Sequence, residues 1–229
     1  MNLELDHLAI GQDPGAILPP ISAVAGPGVI GVVAVETEQT PVVAALVAGG
    51  RMRSERGRLL VDGAEDRDRV RSSTVLVDAP GVAEPFPVLT VRQICREELV
   101  FAGHRGSRDA VDTVLDGLGL AHLADTPIQR VPTDARMRLL IELALLRPGV
   151  EALVVTSPER HGGSVEAWYP ELQSVAQRGI TVVLITSRAA AEVVERLART
   201  SKPDTAPDVV PVDETDERSD STPAQETAS

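Results

Sequence analysis

The chain has 229 residues and a formal net charge of −12, with 43% apolar residues but only 2% aromatic ones. The length suits one domain with a tail, and the charge argues against binding nucleic-acid backbones or anionic membrane surfaces. A core so poor in aromatics must be built from Val, Leu, Ile and Ala, which favours buried strands under helices. In chain order, Gly28 to Val35 reads as a buried strand. Pro41 to Val47 reads as a short helix with Pro near its start and Gly49-Gly50 past its end. Arg58 to Val61 is a strand running into an Asp62-Gly63 turn, and Thr74 to Val77 is another strand. Val91 to Leu99, Ala110 to Leu118 and Ala135 to Leu146 have helical spacing, the last with Leu139, Leu140, Leu143 and Leu146 along one side. Ala152 to Val155 and Ile180 to Ile185 are β-branched runs of the buried parallel type. Tyr169 to Gln177 lies between them as a crossover helix, and Ala189 to Arg199 is a last helix. Strands alternating with helices imply βαβ units and a mostly parallel sheet.

From Lys202 onward the composition changes. Eight acidic residues face two basic ones there, half of the net charge, and Val209, Val210 and Val212 are its only large apolar side chains. Residues 201–229 are therefore expected to form a disordered acidic tail behind a domain over 1–200. The single cysteine, Cys95, excludes an internal disulfide and suits a reducing cytoplasm; its helical setting makes it a small buried apolar residue. No apolar run reaches the roughly 18 residues of a spanning helix, so no direct membrane insertion is expected.

The order of these segments resembles the nucleotide-binding domain of ABC transporters over about residues 2–197. Leu3 to Gly11 with Ile17 to Ile21 is similar to the family's first antiparallel strands. Val29 to Gly49 resembles its strand, P-loop and helix, and Gly57-Arg58-Leu59-Leu60-Val61-Asp62-Gly63 resembles the strand that follows. Val131 to Pro148 aligns without a gap on the signature stretch, LSGGQ followed by RQRVALARALLRP. Ile180 to Ser187 resembles the strand ahead of the switch histidine. The resemblance implies a P-loop NTPase-like α/β fold, with an N-terminal antiparallel part and a helical subdomain over about residues 80–147.

The chemistry of that family is missing from the matching positions. A P-loop needs glycines whose N–H groups cradle phosphates, then Lys for the β- and γ-phosphates, then Ser or Thr for Mg²⁺. Here the stretch is Ala34-Val35-Glu36-Thr37-Glu38-Gln39-Thr40-Pro41, with Thr40 at the lysine and Pro41 at the metal-binding residue. The only lysine of the chain is Lys202. Glu36 and Glu38 put negative charge where a triphosphate would sit. Thr156 stands at the Walker B aspartate, Ser157 at the catalytic glutamate and Ser187 at the switch histidine. Asp78 matches the glutamine that links nucleotide to membrane subunit, and Thr133 lies in the altered signature. Neither Thr156 nor Ser157 is a useful general base near neutral pH.

These substitutions imply a catalytically inactive, ATPase-like interaction or regulatory subunit with no bound cofactor, metal or catalytic residue. The implied partner is a membrane permease-like protein or a competent ABC ATPase, with a homodimer also open. The protein would be cytoplasmic, peripheral to a membrane only through that partner. The alternative is a transporter subunit with unorthodox residues that still binds or hydrolyses ATP with Mg²⁺. His161-Gly162-Gly163-Ser164 looks like a surface turn, and the four histidines show no metal-ligand spacing. Trp168-Tyr169 is expected in the core.

Overall fold

The computed structural model describes residues 1–12, 15–36 and 40–200; the expectations for Glu38 and for the tail from residue 201 lie outside the described residues. Two sheets form the framework. The smaller is antiparallel, in order β2 (Leu18–Ala25), β1 (Leu3–Ile10), β4 (Arg56–Val61). The larger is parallel, in order β3 (Ile30–Ala34), β7 (Thr181–Thr186), β6 (Ala152–Thr156), β5 (Thr74–Val77). The helices are α1 (Thr40–Ala48), α2 (Arg67–Ser73), α3 (Val91–Phe101), α4 (Arg108–Gly117), α5 (Thr133–Leu145), α6 (Val165–Gln177) and α7 (Arg188–Thr200). This is the α/β architecture that the alternation of strand and helix patterns implies.

The parallel strands are buried on both faces, which is why they read as unbroken apolar runs. The two-residue period of a strand sends their side chains into different cores. Ala152, Val154, Val183 and Ile185 join β1 and α1 residues on one side. Leu153, Val155, Val182 and Leu184 meet Trp168, Leu172 and Val175 of α6 on the other. Trp168 is fully buried with Tyr169 edge-on to it, so the aromatic pair is core. A third cluster joins α3 and α4 to one side of α5 through Ile94, Leu99, Val111, Leu115, Leu139 and Leu143. Cys95 is buried in it.

α5 is buried along two sides, with Met137 and Ile141 against the parallel sheet and Leu139 and Leu143 in the third cluster. It holds the helical layer against the sheet. α3 begins with a reciprocal cap, in which Gln93 N–H donates to the Thr90 hydroxyl and the Gln93 side chain accepts from Thr90 N–H. Two features differ from the sequence reading. α6 starts at Val165, four residues before Tyr169, so Pro170 sits in the helix interior and not in its first turn. The short α2 has only Val70 as a buried apolar residue and carries no readable periodicity; its Asp66 cap, accepting from Arg69 N–H, was the available signal.

Candidate functional site

In open parallel sheets, ligands bind beyond the carboxyl ends of the strands. Here those ends bring together Glu36 after β3, Asp78 after β5, Ser157 after β6 and Ser187 after β7. Two backbone bonds tie the edge together: Val35 N–H donates to the Thr186 carbonyl at 2.9 Å, and Ser157 N–H to that of Ile185 at 2.7 Å. Asp78 (φ +58°) and Ser157 (φ +46°) are left-handed without being glycine, a conformation that costs energy and clusters at functional edges. Thr156 and Thr186 are fully buried, and their hydroxyls have no hydrogen-bond partner among the described residues.

The centre of the edge is occupied by the protein's own charges. Asp78 is 1% exposed and Arg136 is 3% exposed. Arg136 Nε donates to Asp78 Oδ2 at 3.0 Å and Nη2 to Oδ1 at 2.6 Å, a two-point pairing, while its Nη1 donates to the Ile128 carbonyl. Arg160 Nη2 reaches the Asp78 carbonyl at 2.7 Å and its carboxylate at 3.0 Å, and Nη1 pairs with Glu84 at 2.6 Å. His161 Nε2 lies 2.7 Å from Asp78 Oδ2. Burial pushes the Asp78 carboxyl pKa up, but hydrogen bonds from His161 and Arg136 and the charges of Arg136 and Arg160 outweigh it. They hold the carboxyl well below the usual carboxylate range.

The N-terminus of α7 is also taken. Its positive end would suit an anion. Instead Ser187 N–H donates to Glu159 Oε1 at 2.7 Å and Arg188 N–H donates to Glu36 Oε1 at 2.8 Å. Thr133 caps nothing in this cluster; its hydroxyl donates to the Gly162 carbonyl at 2.7 Å, in the loop that carries His161. Thr40 starts α1, and its hydroxyl donates to the Ile17 carbonyl at 3.4 Å on β2's side, with Pro41 next in the helix. So Asp78, Ser157 and Ser187 meet at one edge, whereas Thr40, Pro41 and Thr133 flank it.

The stretch His161 to Ser164 is a surface turn as expected, with Gly162, Gly163 and Ser164 exposed, but His161 itself also reaches inward. It ends a 3₁₀ turn, Pro158–His161, and its ring packs toward Asp78. Arg136, Arg160, Glu84 and Glu159 escaped the sequence reading. The one available signal was Arg136 at a helix position whose neighbours are apolar, since a buried guanidinium needs a paired acid. The acid lies 58 residues away and nothing local points to it.

Beside the outer edge of β5 runs a groove of about 440 Å³, with walls of Val75, Val77, Leu89, Ile94 and Leu140. Asp78 and Glu84 lie at one end, Arg51 and Arg147 at the other. Phe86 sits on its rim, 76% exposed, and Phe101 is exposed in a separate depression on α3 that shares Glu97 with the groove.

The sequence matches no protein-family model and no curated protein. The fold does have counterparts among solved structures. A putative ABC transporter ATP-binding protein from Pyrococcus furiosus superposes with a TM-score of 0.58 at 12% identity, over 82% of this chain and 92% of that one. An ATP-binding subunit of an ABC transporter gives 0.55 at 16% identity, over 85% and 83%. CbiO1 from Clostridium perfringens, part of the ABC transporter complex cbiONQ, gives 0.54 at 19% identity, over 81% and 78%. The fold is therefore that of ABC transporter ATP-binding subunits. No helix among the described residues is long and apolar enough to cross a membrane.

Proposed function

We propose that this chain is an ABC-type ATPase-like module that has exchanged catalysis for interaction, and serves as a regulatory or docking subunit of a membrane transporter-like complex. The observation that carries the reading is the self-satisfied strand edge. Phosphoryl transfer depends on positioned positive charge, Mg²⁺ and a group that orients water. Here Arg136 and Arg160 are committed to Asp78 and Glu84. Glu36 and Glu159 occupy the anion-attracting end of α7. Thr156, Ser157 and Ser187 stand where the resemblance puts the acids and the histidine.

The interaction surface of this reading is the groove beside β5 with Phe86 on its rim, continued along α3 by the exposed Val100 and Phe101. An exposed apolar patch next to a lined groove is the usual mark of a docking site. The partner class is a permease-like membrane protein or a competent ABC ATPase. Two measurements test the loss of catalysis: calorimetric titration with MgATP and a phosphate-release assay. The expected result is no binding heat and no release above a buffer blank. Micromolar binding or turnover above the blank overturns the reading.

A further inference from the structure

The groove beside β5 is polarised. Arg51 Nη1 donates to the Gly49 carbonyl and Nη2 to the Thr74 carbonyl, both at 2.7 Å, but no carboxylate pairs with it among the described residues. Carbonyls satisfy its donors without neutralising its charge. Burial lowers the Arg51 pKa, and the nearby charges of Arg71 and Arg147 lower it further. Arg147 pairs with Glu98 at 2.7 Å, and its Nε is buried with no acceptor. Glu97 and Glu98 line the α3 side, so an incoming acid is favoured only at the Arg51 end.

We propose that residues 208–213 of this chain's own tail, Asp208-Val209-Val210-Pro211-Val212-Asp213, lie in this groove and compete with the partner for it. The proposal rests on the docking reading above and adds its regulation. Asp208 meets Arg51 and Arg71, the three valines lie along the apolar walls, and Asp213 leaves at the far end. The lengths agree: four-residue β5 spans about 13 Å and six extended residues span about 17 to 20 Å. Reach is sufficient too. α7 follows β7 directly and packs on β3, so its 13 residues run back along the sheet to the starts of the parallel strands, the edge where Arg51 bonds the Thr74 carbonyl. Crossing from β3 to β5 takes three strand spacings, about 14 Å, and eight extended residues from Thr200 reach about 26 Å. Pro207 and Pro211 bias the segment to extended backbone and lower the cost of ordering it. Tethering supplies a local concentration on the order of 1 mM, so even a weak site is half filled.

Methyl NMR on the full chain tests this, comparing wild type with Val209→Ser/Val210→Ser/Val212→Ser and, separately, with Asp208→Asn. The expected result is that the methyl signals of Val75, Val77, Leu89 and Leu140 shift in the valine variant and shift less in Asp208→Asn. A synthetic peptide of residues 203–217, added to the valine variant, should restore the wild-type positions with a dissociation constant on the order of 1 mM. Superimposable groove signals in wild type and valine variant overturn the proposal. Shifts that vanish on dilution overturn it also, because the tail then comes from a second copy. These substitutions leave Phe86 and Phe101 untouched, so partner capture by the valine variant stands or falls separately.

Discussion

Asp78→Asn isolates the charge at the centre of the strand edge. Asparagine keeps the size of aspartate and tolerates the left-handed backbone at this position, so the change adds little strain. It leaves Arg136, almost fully buried, facing an amide that accepts at only one oxygen. Removing one partner of a buried ion pair costs about 3–5 kcal/mol, because the other charge stays buried without compensation. At about 2–4 °C per kcal/mol for a domain of this size, the melting temperature should fall by roughly 10 °C at pH 7. The pH dependence follows from the sign of the shift. The folded-state pKa of Asp78 lies below its unfolded value of about 3.9. Its contribution is therefore complete above that value and is lost as pH falls through the folded one. The gap between wild type and Asp78→Asn should be largest near neutrality and narrow below about pH 4. Adding Arg136→Met should recover part of the loss, giving a double variant less damaged than the sum of its singles. Thermal melts from pH 7 downward decide it. A variant within about 1 kcal/mol of wild type at pH 7, or a gap that widens in acid, refutes the assignment of Asp78 as the charge that Arg136 requires.

Two further predictions concern function. Thr40→Lys with Pro41→Ser should leave phosphate release at the buffer blank, because Thr156, Ser157 and Ser187 remain and catalytic groups act as a unit; hydrolysis by that variant would show that their matching to the catalytic positions is wrong. Phe86→Asp and Phe101→Asp, both at exposed positions, should leave the melting temperature nearly unchanged while abolishing co-purification of the membrane or ATPase partner. Glu36→Gln and Ser157→Gly should leave that co-purification intact, and the opposite pattern would move the function back to the strand edge.

The sequence by itself determined the layers. The apolar runs at 74–77, 152–155 and 180–185 had no polar face to offer solvent, so they had to be buried parallel strands. The helices read at 91–99, 135–146 and 189–199 followed from apolar spacing and are each found within two residues of those bounds. Ser157 and Ser187 were legible as residues just past strand runs, and both do lie at strand ends. What only the tertiary structure decided is what fills the space at the strand ends. Asp78, Arg136 and His161 are far apart in sequence and each is unremarkable alone; they become a buried ion cluster because β5, α5 and the turn after β6 converge on one point. The α7 terminus likewise receives Glu36 from 152 residues away. Periodicity records which side of an element is buried, but not which buried charge meets which. That pairing is settled by the low-dielectric interior, where a guanidinium without a carboxylate is too costly to keep.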